Sequence, residues 1–184
     1  MTRVVAGRVG GRRIAVPPRG TRPTSERVRE AIFSTVAARI DLDGVRVLDL
    51  YAGSGALGIE ALSRGAAHAL FVESDRRAAA VLRRNLDELG LAGGEVRAAK
   101  VMSVLAERAA DAYQLVLADP PYAMAGVELS GALESLARNG WLAAGALVAV
   151  ERGVRAGEPD WPAGVEQVTT RRYGDTLVCY GRRP

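Results

Sequence analysis

From residue 45 onward the chain alternates short, nearly all-apolar runs with longer amphipathic stretches. The runs VRVLDL (45–50), HALFVE (68–73), EVRAA (95–99), YQLVLA (113–118) and ALVAVE (146–151) predict strands. Stretches near 56–64, 75–89, 102–110 and 128–138 predict helices between them. Strands this continuously apolar are expected where helices cover both faces of a mostly parallel sheet, so the pattern predicts an α/β fold. Upstream, Val28, Ile32, Phe33, Val36 and Ile40 recur at helical spacing behind Thr24-Ser25-Glu26, a plausible N-cap region. Pro17, Pro18, Gly20 and Pro23 break regular structure before it, and VVAGRVGGRRIAV (4–16) predicts a β-hairpin or a pair of bent strands around glycine-rich turn chemistry. At the other end VEQVTTRRY and DTLVCYGR flank Gly174-Asp175, which predicts an antiparallel pair closing the sheet. With no repeat and no low-complexity linker, one domain over 1–184 is expected, with 1–20 as an N-terminal hairpin extension.

Composition narrows the chemistry. At 184 residues and 48% hydrophobic content the chain can bury a substantial core. No apolar run approaches the roughly 18–20 residues of a membrane span, and MTRVVAGRVGGRR lacks the apolar centre of a secretory signal, so a cytoplasmic protein is expected. Cys179 is the only cysteine and His68 the only histidine, which rules out an intrachain disulfide and argues against a Cys/His metal site. Carboxylates, backbone groups, aromatics or an organic cofactor must carry any reaction. The net charge of +4 is unevenly spread: residues 1–29 hold eight arginines against Glu26 alone. Arg3, Arg8, Arg12, Arg13 and Arg19 form a basic N-terminal block suited to the phosphates of RNA or DNA. A solvated arm is the other reading, because the chain favours arginine throughout and Lys100 is its only lysine.

DLYAGSGALGIEAL (49–62) places Gly53, Gly55 and Gly58 as GxGxxG between a predicted strand and a predicted helix, and Glu73 ends the next strand. Glycines let backbone approach a ligand, and a carboxylate at Glu73 can accept from both hydroxyls of a ribose. That fingerprint also suits NAD. Asp49 shifts the balance, since a carboxylate four positions before Gly53 would repel a pyrophosphate but can orient an amino-acid ammonium. A nucleoside joined to an amino acid fits best, and S-adenosylmethionine has that form. The segment resembles the first motif of class I methyltransferases. That resemblance places Asp49, Tyr51, Ala52, Gly53 and Gly55 around the methionine moiety, and Glu73 with Ser74 at the ribose. Where the superfamily often carries an acid or amide for the adenine amino group, this chain has Lys100, so apolar and backbone contact near Val101 and Met102 is expected to hold the adenine.

Asp119-Pro120-Pro121-Tyr122 follows the fourth strand of the alternating series and should adjoin the glycine loop at the carboxyl edge of the sheet. DPPY belongs to the [DN]PP[YFW] motif of enzymes that methylate exocyclic amino groups. Such an amine has its lone pair delocalised into the ring, and two acceptors on its N–H groups localise that pair. By the resemblance these acceptors are the Asp119 side chain and the Pro120 carbonyl; Pro121 stiffens the turn, and Tyr122 offers a π-face for the base.

RVVAGRVGGRRIAVP, RPTSERVREAIF, VLDLYAGSGALGIEALSRGA, DPPY and RRYGDTLVCYGR together resemble the bacterial RsmD family, over nearly the whole chain. The family resemblance implies a Rossmann-like, mostly parallel seven-stranded sheet with a C-terminal antiparallel hairpin. It implies methylation of guanine N2 in small-subunit ribosomal RNA, within a ribosomal assembly particle and by a monomer. It also implies that residues 22–29, Arg22 and Thr24 among them, close over the methionine end of S-adenosylmethionine while the N-terminal hairpin holds RNA. Spacing and composition leave other classes open: an adenine N6 methyltransferase on RNA or DNA, an NAD-dependent oxidoreductase, or a non-catalytic RNA-binding protein. Cys179, Trp141 and Trp161 read as packing residues, His68 as the start of a strand, and Glu60 with Arg64 as a surface pair or a brace of the site.

Overall fold

The computed structural model describes residues 1–18 and 24–184; the expectations for Arg19, Gly20, Arg22 and Pro23 lie outside the described residues. Strands β1 (Thr2–Arg3) and β2 (Arg13–Ile14) form an antiparallel pair and precede helix α1 (Glu26–Ala37). There follow β3 (Arg46–Leu50), α2 (Ala56–Ser63), β4 (His68–Glu73), α3 (Arg76–Leu89), β5 (Gly94–Ala98) and α4 (Val101–Leu105). The chain ends with β6 (Tyr113–Ala118), α5 (Gly126–Arg138), β7 (Leu142–Gly153), β8 (Glu166–Tyr173) and β9 (Thr176–Arg182). The seven-stranded sheet has the order β5-β4-β3-β6-β7-β9-β8. Strands β3 to β7 run parallel, and β9 pairs antiparallel with both β7 and β8.

Apolar faces explain the layers. Helices α1, α2 and α3 pack Phe33, Ile59 and Leu82 against one face of the sheet. On the other face α4 and α5 bury Val101, Val104 and Leu133. Since β3 sits between β4 and β6, successive crossovers leave it in opposite directions. A crevice opens at the carboxyl ends of β3 and β6, where such folds hold ligands. Ser25 starts α1 by accepting from the Val28 N–H at 3.2 Å, and Asp75 accepts from the Arg77 and Ala78 N–H groups at the start of α3.

Three elements differ from the sequence pattern. Helix α4 stops at Leu105 rather than near residue 110. Asn139 Nδ2 donates to the Leu105 carbonyl at 2.7 Å and Trp141 Nε1 to the Glu107 carbonyl at 3.1 Å, so acceptors needed for another turn are engaged elsewhere. Strand β7 is longer than the apolar run ALVAVE: it begins at Leu142 beside Tyr113, with an irregular register before Leu147 meets Leu115. Beyond Glu151 it continues through Arg152 and Gly153, which pair with Leu177 and Thr176. The N-terminal hairpin has only two residues per strand, and it folds back onto the body with Val4 and Ile14 buried.

Candidate active site

Strand β3 delivers Asp49 and Leu50 to the crevice, and Tyr51 then takes a left-handed conformation (φ 59) that turns the chain into the glycine loop. A side chain at that φ is uncommon and marks a backbone held by its surroundings. A cavity of about 690 Å³ lies beyond, within the range of pockets that enclose cofactors. Thr24, Asp49, Tyr51, Ala52, Gly53, Glu73, Ser74, Val101 and Met102 line it, so nine of the sequence-predicted cofactor residues converge on one space. Lys100 lines it too, as do Asp119 and Pro121 from the DPPY turn.

Asp49 is buried, and its Oδ2 accepts from the Gly58 N–H at 2.9 Å in the first turn of α2. The burial itself drives the Asp49 carboxyl well above the usual carboxylate range, while the Gly58 hydrogen bond opposes that rise. Glu73 closes the loop from the other side: Oε2 accepts from Gly53 N–H at 2.8 Å and Oε1 from Asp75 N–H at 2.7 Å. Each oxygen retains a lone pair for a ribose hydroxyl. Gly53 is a cradle position, since a Cβ built there meets no atom within 4 Å. Gly55 is different and corrects its expected place under the ligand. It is not part of the cavity wall; a Cβ there would fall 2.0 Å from Leu82 Cδ1, so its φ of 82 and missing side chain let the loop pack on α3. Among the described residues, the acids on the cavity wall are Asp49, Glu73, Asp75, Asp119 and Glu128, against Lys100 as its one basic side chain. Such a wall favours a cationic ligand and opposes a pyrophosphate. S-adenosylmethionine, carrying ammonium and sulfonium against one carboxylate, fits this donor and charge set.

At the inner end of the cavity Leu50 pairs with Ala118, which brings the glycine loop and DPPY side by side. Ala118 pairs in turn with Val150, so Asp119 and Glu151 leave neighbouring strands together. The Thr24 hydroxyl joins them, 3.1 Å from Asp119 Oδ2 and 2.7 Å from Glu151 Oε2. Burial, and then the neighbouring Glu151 charge, push the Asp119 carboxyl up to about 7, and burial raises Glu151 as well. A smaller hollow lies beside this pair, lined by Asp119, Pro120, Pro121, Tyr122, Glu151 and Gly153. Tyr122 is 72% exposed; a Cβ on Gly153 would fall 2.7 Å from its ring, so one edge rests on β7 while the ring remains accessible. Sequence reasoning missed Glu151. The available signal was positional: Glu73, Asp119 and Glu151 each lie at or just past the end of a buried apolar run, at the edge where the ligand binds.

Glu60 is neither a surface pair nor a wall of the cavity. Fully buried in α2, it accepts from Val5 N–H at 2.8 Å, Ala6 N–H at 3.0 Å and Arg64 Nε at 2.8 Å. Ser63 adds a donation to the Ala6 carbonyl at 2.6 Å and accepts from Val9 N–H at 3.1 Å. Asn85 then brackets Ala15, accepting from its N–H at 2.9 Å and donating to its carbonyl at 3.0 Å. Arg3, Arg8, Arg12 and Arg13 stand on the exposed side of this docked turn. Arg3 pairs with Glu26 at 3.1 Å, and Arg12 donates to the Glu88 carbonyl at 2.9 Å.

Sheet order, acid-lined cavity and adjoining DPPY turn define a class I, S-adenosylmethionine-dependent methyltransferase. The profile of the family described as conserved hypothetical protein 95 matches residues 2–182, and the chain belongs to that family. It is 41% identical over 162 residues to ribosomal RNA small subunit methyltransferase D of Escherichia coli strain K12, covering 88% of this chain and 79% of that protein. The protein of the same name from Haemophilus influenzae is 34% identical over 153 residues, covering 81% of this chain and 77% of the relative. Among solved structures, Escherichia coli yhhF, provisionally described as a methyltransferase, superposes with a TM-score of 0.88 at 35% identity over 99% of this chain and 97% of its own. These relatives confirm the resemblance to the RsmD family.

Proposed function

We propose that this protein transfers a methyl group from S-adenosylmethionine to the exocyclic N2 amine of a guanine in small-subunit ribosomal RNA. The observation that carries this reading is the meeting of the acid-lined cavity with Asp119-Pro120-Pro121-Tyr122 at the β3–β6 junction. The names of the Escherichia coli and Haemophilus influenzae relatives support the ribosomal RNA substrate. When bound, the cofactor supplies an electrophilic methyl on a sulfonium. The chain supplies the rest. Glu73 fixes the ribose, and Asp49 with the Gly53 loop lies at the methionine end.

The Asp119 carboxylate and the Pro120 carbonyl accept from the two N–H groups of the amine and localise its lone pair for attack. Two consecutive prolines leave no N–H to compete for that nitrogen. Tyr122 stacks on the base, a contact typically worth about 1–3 kcal/mol. The nitrogen's proton, acidic after methylation, passes to Asp119 and then to solvent. Positioning is therefore the main catalytic contribution, as the scarcity of histidine and cysteine requires.

Asp119→Ala tests this directly. It should bind S-adenosylmethionine within about twofold of wild type by calorimetry and lose about a hundredfold or more of methyl transfer to small-subunit ribosomal RNA. Asp119→Asn should retain more activity, because its amide oxygen still accepts. Digestion of tritium-labelled RNA to nucleosides identifies the product; label in N6-methyladenosine instead of N2-methylguanosine would overturn the base assignment.

A further inference from the structure

Glu151 has no role in the chemistry described so far, yet it occupies the site as closely as Asp119. The two carboxylates leave adjacent parallel strands one residue past the Ala118–Val150 pair and converge on one hydroxyl of Thr24. A hydroxyl carries a single hydrogen and can donate to only one of them. The second contact needs a proton on a carboxyl, so the pair holds one proton between its two acids. Both groups border the small hollow beside Tyr122, the ring proposed to stack on the base.

Guanine presents two kinds of donor along one edge: the exocyclic N2 amine and, beside it, the ring N1–H. Adenine presents its N6 amine beside an unprotonated N1, an acceptor. If Asp119 takes the amine N–H nearer ring position 1 and the Pro120 carbonyl takes the other, the group next to Asp119 faces ring position 1. We propose that Glu151 is the specificity-determining residue of the base site, accepting the guanine N1–H while Asp119 accepts from the amine. This inference rests on the guanine N2 reading and extends it. Entry of guanine brings donors to both carboxylates, and the shared proton leaves to solvent. Adenine would instead set its N1 lone pair against the Glu151 oxygens and is rejected by repulsion, in the way that a site built for one hydrogen-bonding pattern excludes its inverse. Thr24 bridges the two acceptors, its hydroxyl 3.1 Å from Asp119 Oδ2 and 2.7 Å from Glu151 Oε2.

The test replaces one ring position. After the labelled nucleotide is mapped with wild-type enzyme, the same ribosomal RNA is assembled by ligation with either guanine or 2-aminopurine at that site. 2-Aminopurine keeps the amine but lacks the N1–H and O6. Wild type should prefer guanine in kcat/KM by about ten- to a hundredfold, the range for one hydrogen bond to a charged group. Glu151→Gln, whose amide can meet either an N–H or a lone pair, should reduce that preference at least about tenfold. The missing O6 affects both enzymes alike, so the change in preference isolates position 1. Asp119→Asn should slow both substrates in proportion. If wild type methylates guanine but accepts 2-aminopurine equally well, or if Glu151→Gln slows both substrates alike, Glu151 does not read the base. A wild-type product other than N2-methylguanosine removes the guanine reading itself, before any variant is compared.

Discussion

Asp119 and Glu151 share a proton because two carboxylates bridged by one hydroxyl cannot both ionise cheaply. Asp119 is pushed up to about 7, and the proposed mechanism needs it ionised to accept from the amine, so kcat/KM for RNA should rise with pH through about 7. Glu151 is one cause of that rise, and Glu151→Gln should move the inflection to lower pH; an unmoved profile would show that the two acids do not communicate. Stability moves the opposite way. An acid with a raised folded-state pKa keeps its proton longer when folded, so its contribution to stability declines as pH climbs from about 4 to about 7. Asp119→Asn should flatten that decline in urea titrations. The DPPY side chains were legible because an acid, two prolines and an aromatic form a local pattern. Glu151 was not, because its partnership with Asp119 is created by sheet register between β6 and β7, across 32 positions of sequence. Gly55 was legible as a required glycine but for the wrong reason: its neighbour is Leu82, invisible in the motif.

The strands were readable as elements because burial on both faces writes a continuous apolar run, and the C-terminal hairpin because Gly174-Asp175 sits between two alternating segments. Helix α4 was overread, since the groups that stop it, Asn139 and Trp141, lie far along the chain. The N-terminal hairpin was readable from its glycine-rich turn, and its ladder is short because its apolar residues serve packing: Val4 and Ile14 enter the core beside α1 and α2. Packing between elements also fixes the outcome of a loop substitution. Gly55→Val should destabilise the cofactor-free protein by about 2–4 kcal/mol, combining an unfavourable φ with overpacking against α3. Leu82→Ala in the same chain should recover part of the loss. If Gly55→Val instead unfolds at the wild-type urea midpoint and only weakens S-adenosylmethionine binding, the loop's glycine faces the ligand after all.

At the scale of the whole molecule, charge is divided between two surfaces. The cavity wall is acidic, and the N-terminal turn docked on α2 is basic. Replacing Arg8, Arg12 and Arg13 by alanine should leave cofactor affinity unchanged and lower the salt dependence of RNA affinity, by up to about 0.7 in log–log slope for each single-strand phosphate no longer neutralised. Superimposable RNA titrations would move the binding surface elsewhere, with Arg171 and Arg172 on β8 as the next candidates. Point substitution is the appropriate probe here, and the reason lies in Glu60. That carboxylate is wholly buried and is satisfied largely by backbone N–H groups of Val5 and Ala6, 55 and 54 positions earlier in the chain. Deleting the basic turn would strand a carboxylate in the core with Arg64 as its remaining partner, so a truncated protein that loses RNA binding would report misfolding as readily as recognition. The same dependence orders events during synthesis. The turn leaves the ribosome before α2 and acquires its anchor only after α2 follows, seconds later at about 5–20 residues per second, so until then it is an unanchored polycation beside the RNA of the particle making it.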